Sequence, residues 1–145
     1  MTPVNQTDTT FVTGNCMNAC IASILEIPLD DIPSFHSNDP KDGEAFTHKL
    51  QKWGRSIGYL ILDITITDDC DPDDILKDCW VIASGQSPRA KNGERHAVVW
   101  RNGVMMHDPH PSKEGIVEPD MYAVFIALNP KLKEERRTLW KWLLR

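Results

Sequence analysis

With 145 residues, the chain is long enough for one compact domain to bury a sizeable hydrophobic core. The hydrophobic fraction of 41% and the charged fraction of 26% are those of an ordinary globular protein. No apolar run approaches the roughly 20 residues that span a bilayer, and the net charge of −5 disfavours binding to polyanionic nucleic acid. We therefore expect one domain over residues 1–145, with neither a membrane nor a nucleic acid as its partner.

The first residues, Met1-Thr2-Pro3-Val4-Asn5-Gln6, contain no basic region followed by an apolar one, so they predict no signal peptide. We accordingly expect a cytoplasmic protein. In that compartment the four cysteines are reduced rather than paired in disulfides.

A first helix is predicted over residues 16–26. The turn formers Gly14-Asn15 precede it, and Pro28 disfavours helical geometry at the residue before it. Within the helix, apolar residues recur at spacings of three and four, which is typical of a buried face. These residues are Cys20, Ile21, Ile24 and Leu25.

A second helix is predicted to begin with Asp39 as N-cap and Pro40 at the first helical position, and to end at Gly58. Its apolar residues form one stripe at spacings of four, three and four. They are Phe46, Leu50, Trp53 and Ile57.

After Gly58 the pattern becomes strand-like. Segments rich in β-branched and aliphatic residues alternate with turn formers, which predicts five strands. They cover residues 59–66, 79–84, 96–100, 104–108 and 122–128. Helices followed by hairpin-connected strands indicate an α+β fold, with N-terminal helices packed on an antiparallel sheet.

The charge is distributed unevenly along the chain. Residues 129–145 contain six basic and two acidic residues, a net +4, so the remainder carries −9. Asn129 is a suitable N-cap and Pro130 suits the first helical position, which predicts a basic C-terminal helix over residues 129–145. Trp140 and Trp142 are too close in sequence to share one face, and an exposed tryptophan would favour a protein partner there.

Cys16 is the candidate nucleophile. The first N–H groups of a helix lack intrahelical acceptors, and the helix dipole places partial positive charge there. A thiolate at the first helical residue is stabilised by this charge, which favours nucleophilic chemistry at neutral pH.

A cysteine nucleophile needs an imidazole base, and the imidazole needs a third group to orient it. His96 begins a predicted strand, and Asp108 ends the next strand in the hairpin. A three-residue turn, Arg101-Asn102-Gly103, would set His96 opposite Asp108, whereas a two-residue turn, Asn102-Gly103, would set Ala97 there. The sequence permits both turns, so a Cys-His-Asp triad requires the three-residue turn or an equivalent bulge.

Three segments carry a family resemblance. Gly14-Asn15-Cys16, Arg95-His96-Ala97-Val98-Val99 and His107-Asp108-Pro109-His110-Pro111 resemble blocks of papain-like cysteine peptidases. They are most similar to those of small phage-encoded proteins related to the peptidases that remove double-glycine leader peptides. The resemblance extends over residues 3–128, although those peptidases often have Asp-Cys-Gly where this chain has Asn15-Cys16-Met17.

The resemblance implies a papain-like fold, with Cys16 as nucleophile, His96 as general base and acid, and Asp108 as the orienting carboxylate. It further implies Gln6 and the Cys16 backbone N–H as oxyanion-hole donors. The expected reaction is acyl transfer, most simply hydrolysis of a peptide or isopeptide bond, with amidase or transferase chemistry also open. Further candidates to line the cleft are Asn15, His107 and His110.

The alternative function is a non-catalytic binding module on the same scaffold, which would sequester or inhibit a host protein, with the C-terminal helix as a possible contact. If the protein is phage-encoded, as the resemblance implies, its location would be the host cytoplasm. No nucleotide-binding or P-loop motif is present, so no cofactor is expected. Cys16 and Cys20 stand four apart, but Cys70 and Cys79 do not form the second pair of a zinc site, so no metal is expected either.

Overall fold

The computed structural model of the protein describes residues 1–36, 45–67 and 72–129. These residues form three α-helices, one 3₁₀ turn at Leu29–Asp31 and five β-strands. The helices are α1 (Cys16–Leu25), α2 (Phe46–Ser56) and α3 (Pro72–Ile75). The strands are β1 (Tyr59–Thr65), β2 (Val81–Gln86), β3 (Arg95–Arg101), β4 (Val104–His107) and β5 (Pro119–Ala127).

The five strands form one antiparallel sheet in the order β1-β5-β2-β3-β4. The last strand therefore inserts between the first and the second, while β2, β3 and β4 are joined by successive hairpins. The predicted α+β class is confirmed, and the arrangement places the beginning of β3 and the end of β4 at the same end of the sheet.

One face of the sheet is covered by α1 and α2. Alternate strand residues on this face, among them Ile61, Ile82 and Val99, pack with Ile21 of α1 and Leu50 of α2 in one buried cluster. The opposite face carries a smaller buried cluster, in which Leu76 follows α3. Its strand members are Val81, Ala83, Val98 and Tyr122.

Helix α1 agrees closely with its prediction. It begins at Cys16 and ends at Leu25, and Glu26 caps it in the left-handed conformation, with φ of 56°. Pro28 follows two residues later, where it cannot continue the helix. The predicted apolar face is also confirmed, since Cys20 and Ile21 have no exposed surface.

The predicted start of the second helix at Pro40 is wrong. Helix α2 begins at Phe46, because Ala45 before it is extended, with ψ of 146°. The first residue of the predicted apolar stripe, Phe46, is therefore also the first residue of the helix. The proposed N-cap Asp39 and first residue Pro40 lie outside the described residues. The end of the helix is as expected, because Gly58 has φ of 87° and reverses the chain into β1.

The β3–β4 connection is the two-residue turn rather than the three-residue turn. Arg101 pairs with Val104, and both Asn102 and Gly103 have positive φ, 51° and 75°, as a type I′ turn requires. A bulge then changes the register, since Trp100 pairs with Met105 whereas Val99 pairs with His107. Met106 is the extra residue, and it moves everything after it by one position along β3.

The basic C-terminal helix predicted over residues 129–145 lies outside the described residues after Asn129. Within the described ranges, no helix combines the length and apolar character needed to cross a membrane.

Candidate active site

Cys16 occupies the first residue of α1. Asn15 is the N-cap, and the first intrahelical hydrogen bond runs from the Ala19 N–H to the Asn15 carbonyl oxygen at 3.0 Å. The N–H of Cys16 therefore has no acceptor within the helix. The side chain is half-buried and lines a cleft of about 90 Å³ that is open to solvent.

The loop that delivers Cys16 is held by Asn15 and Asp8. The Asn15 side-chain oxygen accepts the N–H groups of Thr7 and Asp8, both at 3.0 Å, and the Asn15 N–H donates to the Asp8 carbonyl oxygen. Gly14 fits only without a side chain, because an added Cβ would lie 2.1 Å from the Thr10 carbonyl oxygen. Asn15, expected as a possible cleft-lining residue, thus uses its side chain to tie this loop together.

His96 and Asp108 form a buried pair. His96 is 5% exposed and Asp108 is 2% exposed, and the His96 Nε2–H donates to Asp108 Oδ1 at 2.7 Å. Strand pairing does not set the two residues opposite each other, because the register Val99–His107 continues to Val98 across from Asp108. Asp108 follows the last residue of β4, and from there its carboxylate reaches the His96 ring, two residues along β3 from Val98. The expected requirement for the three-residue turn or an equivalent bulge is therefore wrong. With Nε2 engaged by the carboxylate, Nδ1 is the nitrogen left for the Cys16 thiol, which lines the same cleft.

The Asp108 carboxylate is fixed by backbone donors as well. Oδ1 accepts the His110 N–H at 2.8 Å, and Oδ2 accepts the Gly115 N–H at 2.7 Å. Gly115 has φ of 71°, and a Cβ there would lie 2.8 Å from the Met105 sulfur. The loop after β4 therefore wraps around this carboxylate and orients it toward His96.

These contacts separate the pKa values of the two partners. Burial raises the pKa of Asp108, but the hydrogen bonds from His96, His110 and Gly115 outweigh burial and lower the pKa to about 2. Burial also lowers the pKa of His96, yet interactions with Asp108 and the Cys16 side chain raise it overall above 6.5. The pair therefore favours a carboxylate next to an imidazolium, the charge state that stabilises a neighbouring thiolate.

Gln6 lies in the wall of the same cleft and is 9% exposed. Its Nε2 donates to the Asp8 carbonyl oxygen at 2.7 Å, which orients the amide and leaves the second Nε2–H unassigned. Gln6 is also anchored through its backbone, because its N–H donates to the Pro109 carbonyl oxygen at 3.1 Å. The strands and loops thus bring Gln6, Cys16 and His96 to one cleft.

Of the two other candidate histidines, one lines the cleft and the other bonds to the N-terminal segment. His110 lines the cleft, with its ring 6.1 Å from the His96 ring, and Ser112 N–H donates to its Nδ1 at 3.0 Å. His107 does not appear among the residues lining the cleft, and its Nε2–H instead donates to the Val4 carbonyl oxygen at 2.9 Å. That bond ties the N-terminal segment to the end of β4.

Sequence reasoning missed much of the cleft wall. It singled out neither Arg89, in the loop between β2 and β3, nor Arg95, the first residue of β3, as a residue of the cleft. No local pattern could have found them, because a cation in a loop or at a strand end is usually solvated, and only the packing shows that these two line the same cleft as Cys16. The other lining residues outside the prediction are Thr9, Thr10, Phe11, Gly14 and His36.

The described cysteines are Cys16, Cys20 and Cys79, and all three are free thiols. Cys20 is fully buried and donates to the Ala97 carbonyl oxygen at 3.4 Å, and burial raises the pKa of its thiol. It is therefore a core residue rather than a nucleophile. No cluster of three or more His, Cys, Asp or Glu side chains suited to a metal occurs within the described ranges.

Comparison of the chain with models of protein families, with curated proteins and with solved structures yields no match in any of the three.

Proposed function

We propose that the chain is a cysteine-dependent acyl-transfer enzyme with a papain-like fold, most simply a peptidase, isopeptidase or amidase of the cytoplasm. Cys16 is the nucleophile, His96 the general base and acid, and Asp108 the orienting carboxylate. One observation carries the proposal: a buried His96–Asp108 pair at 2.7 Å shares a cleft with a cysteine at the first residue of a helix. A core cysteine and a surface histidine would have no need of this arrangement.

The reaction follows from the charge states. The Cys16 thiol transfers its proton to His96, and the sulfur attacks the carbonyl carbon of the substrate. The C–N bond breaks as the imidazolium gives that proton to the leaving amine, which leaves a thioester on Cys16. Water then loses a proton to His96 as its oxygen attacks the thioester; the C–S bond breaks and the proton returns to the sulfur.

The oxyanion formed in each step is bound by the Cys16 N–H and the Gln6 Nε2–H. Both groups border the cleft, and the Gln6 amide is oriented by its bond to the Asp8 carbonyl oxygen. Donors that are fixed before the reaction stabilise developing charge without reorganisation, and loss of one such donor costs about 10²–10³ in rate.

The first test is alkylation by iodoacetamide, with site occupancy read by peptide mass spectrometry. We expect Cys16 at pH 6.5 to react at least about tenfold faster than the exposed Cys79 of the same chain, because thiolate is the reacting form. His96→Ala should abolish this advantage, whereas His48→Ala, on α2, is the matched control. Equal rates at Cys16 and Cys79 would contradict an activated nucleophile.

The second test is acyl transfer from p-nitrophenyl acetate. We expect a burst of nitrophenol together with one acetyl group on Cys16, and loss of both in Cys16→Ser. Cys79→Ser is the matched control for removal of a thiol. If Cys16→Ala retained the full biological effect of the protein, the non-catalytic binding module would be the better account.

A further inference from the structure

A second feature of the cleft is the cation Arg89, which is held by its own loop. Ser87-Pro88-Arg89-Ala90 is a β-turn, closed by a bond from the Ala90 N–H to the Ser87 carbonyl oxygen at 3.1 Å. Pro88 occupies the second position, where its fixed φ suits the turn, and the Arg89 N–H donates to Ser87 Oγ at 3.3 Å. Ser87 itself is fully buried, so the turn presents Arg89 from a fixed base.

The Arg89 guanidinium has spare hydrogen-bonding capacity. Its side chain is only 15% exposed, and its hydrogen bond to a described residue runs from Nη1 to Ser112 Oγ at 3.0 Å. The Asp108 carboxylate lies 3.9 Å away, beyond hydrogen-bonding distance, and its oxygens already accept bonds from His96, His110 and Gly115. A largely desolvated guanidinium with unused N–H donors favours a further anionic partner.

The rest of the described cleft wall offers no such anion. Arg95 also lines the cleft, but its guanidinium makes a two-pronged contact with Asp120 and is thereby neutralised. The remaining ionisable lining groups are the Cys16 thiol and the imidazoles of His36, His96 and His110, and among the described lining residues there is neither an aspartate nor a glutamate. Among the described lining residues, Arg89 is therefore the cation that makes no hydrogen bond to a carboxylate.

We infer that the substrate of Cys16 carries a carboxylate close to its reacting carbonyl, and that Arg89 binds this carboxylate through the free donors of its guanidinium. The inference rests on the proposed function, since it names the substrate class of the same site. Arg89 is well suited to the role, because guanidinium and carboxylate match as a planar, charge-assisted pair. Both an acidic side chain and a free chain terminus would supply the group.

The test compares two alkylating reagents that differ in charge, iodoacetate and iodoacetamide. For each reagent, the rate at Cys16 is divided by the rate at Cys79 in the same sample. We expect the iodoacetate ratio to exceed the iodoacetamide ratio by about tenfold, since a nearby cation concentrates the anionic reagent at Cys16. Arg89→Gln should remove this preference and Arg89→Lys should keep part of it.

Three controls separate binding from a structural role. Lys91→Gln removes an exposed charge from the same loop, and Arg101→Gln removes one at the far end of β3; neither should change the preference. Ser112→Ala removes the bond that holds Arg89 but leaves the cation, so it should keep most of the preference. If Ser112→Ala matched Arg89→Gln, the effect would come from the loop and the inference would be wrong.

The comparison also distinguishes this inference from the proposed function. Fast iodoacetamide reaction at Cys16 without an iodoacetate preference would overturn the role of Arg89 and leave the nucleophile intact. Slow iodoacetamide reaction would overturn the proposed function itself.

Protection of Cys16 by short peptides identifies the source of the carboxylate. The peptides are acetyl-Ala-Gln-Ala-amide, its glutamate analogue, and the glutamine peptide with a free C-terminus, each at millimolar concentration. Stronger protection by the glutamate peptide assigns an acidic side chain, and stronger protection by the free terminus assigns a chain end. If neither exceeds the neutral peptide, a carboxylate substrate is excluded.

Discussion

Asp108 shows how single contacts set the chemistry of the cleft. It is buried to 98%, yet its pKa is lowered to about 2, because three hydrogen bonds outweigh the cost of burying its charge. The same carboxylate raises the pKa of His96. His110, at the edge of the cleft, has its pKa lowered, first by partial burial and then by the positive charge of Arg89.

Two histidines of one cleft should therefore titrate in opposite directions. In a ¹H–¹³C NMR titration we expect the His96 ring to titrate above 6.5 and the His110 ring below it. Asp108→Asn should lower the titration midpoint of His96, because the neutral amide no longer stabilises imidazolium. An unchanged titration midpoint of His96 in this variant would contradict the His96–Asp108 contact.

The β3–β4 hairpin shows how an element sets the site. Asn102 and Gly103 adopt the tight type I′ turn, and the extra residue Met106 then shifts the register so that His107 pairs with Val99. Asp108 leaves the strand directly after this pair, and its carboxylate contacts the His96 ring. Met106 is 47% exposed, so its side chain contributes little to the core.

Deletion of Met106 should remove the bulge but keep the register of the site. His107 then follows Met105 directly and still pairs with Val99, so Asp108 keeps its position along β3 and Cys16 should keep its fast iodoacetamide reaction. Insertion of one alanine between His107 and Asp108 moves the carboxylate by one residue and turns it to the other face, so this variant should lose the fast reaction while circular dichroism retains the α+β signature. Loss of the fast reaction on deletion of Met106 would argue against this register.

At the scale of the whole molecule, the site joins segments that are distant in sequence. The N-terminal segment bonds to α1 through Ser23, to β4 through His107 and to the following loop through Pro109. Asp108 in turn connects β3 with that loop. The ionisation of Asp108 is therefore coupled to the stability of the entire fold.

The sign of this coupling is fixed by the lowered pKa. Asp108 has the ordinary pKa of 3.8 in the unfolded chain and a pKa of about 2 in the folded chain. The unfolded chain therefore binds this proton at a higher pH than the folded chain does. The stabilisation is fully present above pH 4 and is lost as the pH falls through 2; it amounts to about 2 kcal/mol. Urea unfolding of Asp108→Asn should lack this part of the acid dependence, with Asp30→Asn as the control for loss of an exposed carboxylate.

Local chemistry determined a large part of this structure. The Gly14-Asn15 turn, the apolar face of α1, the stripe of α2 and the alternation in the strands are set by neighbours within a few residues, so the α+β class follows from the sequence. The candidate residues Cys16, His96 and Asp108 also follow from it, as chemistry-bearing residues at element ends. Each of these patterns depends on short-range backbone preferences that operate without the rest of the chain.

Only the tertiary structure decided how these residues meet. Asn102-Gly103 permits two registers, and the choice between them, with the bulge at Met106, depends on packing across the whole sheet. The same holds for Arg89, whose loop is polar by composition but is turned inward by the buried Ser87 and by Ser112. Sequence identifies groups that can react, whereas burial and distance, which arise from contacts between remote segments, determine which of them share one cleft.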